Sequence, residues 1–284
     1  MTSRPLAHAL ADAEQKLTAA GVWAPRSDAE VLAAHVLGVG ELDPAAELDT
    51  AAAAELDRLV ARRADRVPLA YVTGWAELGG VRVSVGPGVF VPRPHTEPLL
   101  AWGLERLRGV SDPVVVDLCT GSGALALAIA HARPDARVHA VELSSVALDF
   151  ALRNAKQQSD AGDTAIWLVQ GDVTDPALFR DLHGTVDLVV ANPPFVPNDM
   201  EMPPEWTEHH PPIAMYAGAD GMVVIRHVVL LASRLLRPGG HVAIEHGDPQ
   251  VHAVAELLRD TFTDITNHPD HHGDPRFTTA HRRV

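Results

Sequence analysis

The sequence predicts an α/β fold: a small helical domain, a β-hairpin linker, then a Rossmann-like parallel sheet with covering helices. Three observations carry this. Residues 3 to about 66 keep apolar side chains near helical spacing. The stretch 76–94 turns to strand-like alternation punctuated by glycine and proline. From about residue 95, short apolar runs alternate with helical segments, which is the rhythm of a parallel sheet with crossover helices. The predicted boundaries are 1–75, 76–94 and 95–284.

Each element follows from local pattern. "PLAHALADAEQKLTAAG" is a helix ending at Gly21, and "DAEVLAAHVLG" a second one, with Ser27 as its expected cap and Gly38 as its stop. A third, alanine-rich helix is expected to follow Pro44 and run to about Arg66. Arg62, Arg63 and Arg66 then sit where a helix macrodipole favours cations. In the linker, Val81, Val83 and Val85 alternate with Arg82 and Ser84 between the glycine pairs Gly79-Gly80 and Gly86-Pro87-Gly88. Beyond it, "PVVVDL", "RVHAVEL", "AIWLVQGD", "VDLVVANPP" and "HVAIEHG" read as strands. "GALALAIAHA", "SVALDFALRNAKQQ" and "GMVVIRHVVLLASRLL" read as helices, the last stopped by Arg237-Pro238-Gly239-Gly240. His268, His271 and His272 are expected in a polar surface loop with no metal, since no second ligand cluster has suitable spacing.

Composition bounds the function. With 46% hydrophobic and 21% charged residues, the chain can bury a packed core. No apolar run reaches the roughly 20 residues of a membrane span, and "MTSRPLAHALADAEQ" carries no secretory apolar region. A single cysteine, Cys119, excludes an internal disulfide framework. A cytoplasmic location is expected. The net charge of −14 argues against broad nucleic-acid binding, which depends on neutralising phosphates.

Two strand ends carry the chemistry. In "VVVDLCTGSGALALA" a glycine-rich loop joins a strand to a helix; Gly121 and Gly123 let the backbone turn tightly beside a ligand, and the helix start offers unpaired N–H groups. Glu142 ends the next strand, where a carboxylate can accept both hydroxyl protons of a ribose. Gly121, Gly123 and Ala126 also satisfy the dinucleotide fingerprint. Asp117, however, would set negative charge against a pyrophosphate, whereas a ligand with ammonium and sulfonium cations tolerates it. S-adenosylmethionine carries both. Cys119 is expected to be a small packing residue beside this ligand.

The second strand end is "VDLVVANPPFVP". Pro193 and Pro194 restrict the backbone around Asn192 and have no N–H to donate. The segment therefore presents acceptors, the Asn192 side-chain oxygen and nearby carbonyls, beside the flat face of Phe195. Two fixed acceptors and a stacking face suit a planar group bearing –NH2. Holding both N–H hydrogens orients a weakly nucleophilic nitrogen and stabilises the positive charge that develops as it is alkylated.

At this point the chain resembles the protein-(glutamine-N5) methyltransferases that act on peptide chain release factors. The likeness runs through "RRADRVPLAYVTG", "VFVPRPHTE", "VVDLCTGSGALALAIA", "ANPPFVP", "IEHG" and "GDPRFTTAHR". It implies a class I methyltransferase domain in which Cys119, Thr120, Gly121, Ser122 and Gly123 contact the methionine part of S-adenosylmethionine, near Asp117. It also implies that Glu142 holds the ribose and Asp172 approaches the adenine, with Asn192 bordering the cofactor. Asn192 and Pro193 would hold the substrate glutamine of a Gly-Gly-Gln motif, with Pro194 and Phe195 completing the site, and the helical domain would grip the release factor. Two positions depart from the pattern: the family usually has Tyr at Phe195 and an acidic residue at His95. Thr96 and Glu97 match it and are expected to order the cofactor pocket.

The Asn-Pro-Pro-aromatic motif alone is shared with adenine-N6 nucleic-acid methyltransferases, which are the alternative; the acidic balance and the lack of a basic target-recognition domain oppose it. A silent cofactor-binding adaptor has little need for Asn192–Phe195. A nicotinamide oxidoreductase is opposed by Asp117 together with that motif.

Overall fold

The computed structural model describes residues 3–284, and the chain divides into two compact units. One comprises Met1–Trp75 and Met202–His209, the other Ala76–Glu201 and His210–Val284.

The first unit is built on β1 (Arg4–Pro5), α1 (Leu6–Ala19), α2 (Pro25–Leu37), β2 (Glu47–Leu48), α3 (Thr50–Ala64) and α4 (Leu69–Thr73). Leu6, Leu10, Leu17, Leu32, Leu56 and Leu59 meet in its core. Ser27 is not the cap of α2: that helix starts at Pro25, whose missing N–H is no loss at the first helical position, and Ala24 holds the cap. The third helix starts later than Pro44 because Asp49 caps it, accepting from the Ala52 amide at 2.8 Å, while Glu47–Leu48 pairs with Arg4–Pro5.

The second unit opens with a two-stranded sheet, β3 (Trp75–Leu78) and β4 (Val81–Ser84), turned by Gly79 and Gly80 with φ of +57° and +76°. There follow α5 (Glu97–Arg106), β5 (Val114–Leu118), α6 (Ala124–Ala132), β6 (Arg137–Glu142), α7 (Ser145–Asp160), β7 (Trp167–Gln170) and β8 (Val186–Ala191). The chain then passes through α8 (Pro204–Thr207), which belongs to the first unit, and returns for α9 (Val223–Leu235), β9 (Leu236–Glu245), α10 (Val251–Leu258), β10 (Phe262–Pro269) and β11 (Pro275–Arg282).

One seven-stranded sheet runs β10-β11-β9-β8-β5-β6-β7. Its middle is parallel, and β10 and β11 are antiparallel additions. β5 is buried along its whole length and β8 nearly so, which is why both read as continuous apolar runs. Because β5 lies between β6 and β8, the order reverses there, and the carboxyl ends of β5 and β8 border the switch point where ligands bind in such sheets.

Helix α9 ends at Leu235, just before Arg237-Pro238-Gly239-Gly240 as expected, and that run forms the irregular start of β9; a side chain at Gly240 would lie 2.8 Å from the Val186 carbonyl, so only glycine lets the strands close up. One expectation fails in part. His268 lies in β10, stacked on Phe277 and bonded to Thr279 at 2.8 Å, and only His271 and His272 occupy the turn beyond.

Arg63 at the end of α3 and Arg66 just beyond it are held by carboxylates. Arg63, 6% exposed, donates to Asp28 at 2.7 Å and to Glu205 at 3.2 Å; Arg66 donates from Nε to Glu205 at 2.7 Å and from Nη2 to the other carboxylate oxygen. Glu205 belongs to α8, so this cluster joins the two chain segments that make the first unit. Burial pushes the Glu205 carboxyl up, but Arg66 and Arg63 outweigh it and hold the group below its ordinary value. A depressed carboxyl contributes stability above its unfolded value and loses it as pH falls through its folded one. Wild type should therefore exceed Glu205→Gln in stability at neutral pH by about 1–3 kcal/mol. That margin should shrink below about pH 4, as read by urea unfolding at both pH values.

Candidate active site

The cofactor loop is a run of unusual backbone. Cys119, Gly121 and Gly123 have φ of +67°, +58° and +84°, so the chain coils tightly between β5 and α6. A cysteine with positive φ is costly, and such outliers gather at ligand clamps. Hydrogen bonds hold it: the Thr120 amide donates to the Val141 carbonyl at 3.0 Å, and the Gly123 amide to the Thr120 carbonyl at 2.9 Å. Asn154 of α7 donates to the Ser122 carbonyl at 2.9 Å while its side-chain oxygen accepts from the Ser84 amide at 2.8 Å. It thus ties the loop to β4.

Glu142 leaves the end of β6 and is fixed from both sides. Its Oε2 accepts from the Gly121 amide and its Oε1 from the Ser144 amide, each at 2.8 Å. Burial raises its pKa against those two amides. Asp172 follows β7, with Oδ1 accepting from the Thr174 amide at 2.8 Å. Its predecessor Gly171 donates to the Glu142 carbonyl at 3.0 Å, so the two acids are joined through backbone.

Asp117 is 1% exposed. Thr120 donates to its Oδ2 at 2.6 Å, and among the described residues Oδ1 has no hydrogen-bond partner. Burial pushes its carboxyl up to about 7, against the Thr120 hydroxyl and the Ala126 amide. A buried carboxylate with one bare oxygen is under-satisfied, and a cation relieves it. The residues present fit S-adenosylmethionine: Asp117 suits an ammonium and Glu142 a ribose diol. The Cys119 thiol is pushed well above its ordinary value by burial and by Glu142, Asp117 and Asp172, so it is no thiolate nucleophile.

The second strand end lies beside the first. Leu118 pairs with Ala191, so Cys119 and Asn192 leave adjacent strands together; Ala191 pairs with Ile244, which sets Glu245 on the other side. Asn192 Nδ2 lies 3.5 Å from Thr96 Oγ1, and no described residue donates to Asn192 Oδ1 or to the Pro193 carbonyl. Cys119 and Phe195 pack on one apolar cluster. The Phe195 carbonyl accepts from Gln250 Nε2 at 2.7 Å, and a side chain at Gly221 would come within 2.1 Å of that carbonyl. Val196 then forms a parallel bridge opposite Tyr216, its amide donating to the Met215 carbonyl at 2.8 Å and its carbonyl accepting from the Ala217 amide at 3.0 Å.

Thr96 and Glu97 turn out to have separate tasks. Glu97 accepts from the Gly79 amide at 2.8 Å and braces the hairpin, while Thr96 meets Glu245 and Asn192. His95 Nε2 is 3.4 Å from Glu245 Oε1. Asn154, Gln250, Gly221 and Glu245 were not assigned from sequence; only the quoted "IEHG" pointed near one of them.

Residues 8–74 match the PrmC N-terminal domain and residues 96–204 the methyltransferase small domain. A curated relative from Mycolicibacterium smegmatis named release factor glutamine methyltransferase is 49% identical, with 96% of each chain covered. This chain belongs to the release factor glutamine methyltransferase family. A member from Streptomyces coelicolor with the same name is 45% identical over 97% of each chain. A relative from Streptomyces pristinaespiralis named 4-amino-L-phenylalanine/4-methylamino-L-phenylalanine methyltransferase is 42% identical, covering 90% of this chain and 88% of its own. The fold is shared with a Thermus thermophilus 16S rRNA N2 G1207 methyltransferase solved with AdoMet and guanosine. That pair has a TM-score of 0.53 and 23% identity, covering 74% of this chain and 50% of the other. The family, matched over nearly the full length, does not favour the adenine-N6 alternative.

The raised Asp117 carboxyl makes cofactor affinity depend on pH. A cation needs the ionised form, so binding should strengthen as pH rises through about 7 and level off above it. Calorimetric titration of S-adenosylmethionine from about pH 5.5 to 8.5 should show this. Asp117→Asn should bind more weakly by about 1–3 kcal/mol and lose the pH dependence.

Proposed function

We propose that the chain methylates the side-chain amide nitrogen (N5) of a glutamine in the Gly-Gly-Gln motif of a peptide chain release factor, with S-adenosylmethionine as donor. Supporting this reading is the pairing of Leu118 with Ala191, from which Cys119 and Asn192 leave adjacent strands.

S-adenosylmethionine, when bound, supplies a methyl group on a sulfonium. Asp117 meets its ammonium and Glu142 its ribose, with Asp172 at the adenine. Cys119, Thr120, Gly121, Ser122 and Gly123 wrap the methionine part. Asn192 Oδ1 and the Pro193 carbonyl accept the two N–H hydrogens of the glutamine amide, and Phe195 packs on its plane. These contacts aim the nitrogen and stabilise its developing positive charge. Once alkylated, the nitrogen loses its proton readily, so no strong base is needed. Specificity for a whole protein comes from contacts remote from the amide, which the helical unit provides. A translation substrate places the enzyme in the cytoplasm.

Mass spectrometry of a release factor incubated with enzyme and cofactor should find one methyl group on the Gly-Gly-Gln glutamine. Asn192→Ala should slow single-turnover transfer by roughly 10²–10³-fold, the loss typical of one oriented charge-stabilising group, with little change in cofactor affinity. Free 4-aminophenylalanine also presents a planar –NH2 and belongs in the assay because of the relative acting on it. Transfer to that amine with none to the release factor would overturn the reading in favour of a small-molecule acceptor, and label in duplex DNA would revive the nucleic-acid alternative.

A further inference from the structure

We propose that Thr96 and Glu245 are positioning residues that lock the Asn192 amide in the one orientation able to accept a substrate N–H. The inference rests on the function proposed above.

An asparagine amide has two nearly isosteric faces, one donor and one acceptor. With the acceptor face outward it can hold an –NH2 hydrogen; rotated by half a turn it would set donor against donor. Something must choose, and the choice here begins with Glu245. The sheet register puts this residue beside Asn192, and it is 1% exposed. A carboxylate offers acceptors only. Thr96, 3% exposed, donates its single hydroxyl proton to Glu245 Oε2 at 2.8 Å. Having given that proton away, Thr96 Oγ1 has only lone pairs left for Asn192. It can therefore face Nδ2, at 3.5 Å, but not Oδ1. The contact is long for a hydrogen bond, so its effect is to discriminate between two orientations rather than to bind tightly. The polarity runs in one direction, from Asn192 to Thr96 to Glu245, and leaves Oδ1, to which no described residue donates, as the end that can accept a substrate N–H.

The test uses the full chain, a release factor and saturating cofactor in single-turnover assays. Thr96→Val keeps the shape and removes the hydroxyl; it should slow methyl transfer roughly tenfold, the effect of about one hydrogen bond, with cofactor affinity unchanged. Thr96→Ser should restore the rate to within about twofold. The deciding measurement is a double-mutant cycle. If Thr96 acts through Asn192, then Thr96→Val added to Asn192→Ala causes no further loss. A Thr96→Val enzyme as fast as wild type, or a loss that simply multiplies with that of Asn192→Ala, overturns the proposal. Should Thr96→Val fail to fold, Glu245→Gln goes through the same cycle: an amide there accepts or donates, so the polarity is no longer enforced, and its loss should also vanish in the Asn192→Ala background. Absence of methylation by wild type itself would instead remove the functional reading, and this inference with it.

Discussion

The parallel register Leu118–Ala191–Ile244 is the constraint on which the site depends. It aligns the ends of three neighbouring strands, so that the next residue of each, Cys119, Asn192 and Glu245, emerges at one edge. In a sheet, a slip of one residue turns side chains to the opposite face. A slip of β8 against β5 would turn Asn192 from the cofactor loop, and a slip against β9 would part it from Glu245. Asp187 near the start of β8 ties it to both neighbours, accepting from the Val114 amide of β5 at 2.8 Å and from Arg237 Nε of β9 at 2.6 Å.

The same edge concentrates negative charge. Asp117, Glu142, Asp172 and Glu245 all stand at the carboxyl ends of parallel strands or just past them, in a chain already at −14. Burial raises Asp117 and Glu142, and the Cys119 thiol is driven up by burial and then by three of those acids. Such a site disfavours a pyrophosphate and favours a ligand bearing cations, which separates a sulfonium cofactor from a dinucleotide although Gly121, Gly123 and Ala126 satisfy the spacing common to both. The glycine spacing allows a ligand to approach; the carboxylates decide its charge.

What the sequence disclosed were features encoded locally. Strand and helix periods, the glycine loop, and an asparagine followed by two prolines are each read within a dozen residues. Features encoded by long-range pairing stayed hidden. Thr96 and Glu245 are 149 positions apart, Asn154 reaches 70 positions to Ser84, and Arg66 reaches 139 to Glu205. None of these side chains has a local pattern distinguishing it from a solvated polar residue. Ser27 was mistaken for a cap because serine does cap helices, but Pro25 starts this one two residues earlier. Arg237-Pro238-Gly239-Gly240 does stop α9, but that Gly240 also permits close approach of two strands depends on Val186, far away in the chain. The terminal strands β10 and β11 pair antiparallel and lie outside the alternating strand–helix rhythm from which the sheet was inferred.

Preorganisation of the Asn192–Phe195 segment comes from both backbone chemistry and its surroundings. Pro193 and Pro194 narrow the backbone from within. Gln250 grips the Phe195 carbonyl, and its Oε1 in turn accepts from the Gly247 amide at 2.8 Å, so the residues after β9 hold the residues after β8. Gly221 approaches the same carbonyl closely enough that no other residue fits without displacement, and the Val196–Tyr216 pairing fixes the chain where the segment ends. Beyond that pairing the chain leaves for Met202–His209, which belongs to the helical unit and is held there by Arg63 and Arg66. A weak nucleophile gains most from being held in a reactive geometry, since the ordering cost is met in folding rather than at each turnover. In the proposed reaction, the rigidity around Asn192 supplies the orientation that a weak amide nucleophile lacks on its own.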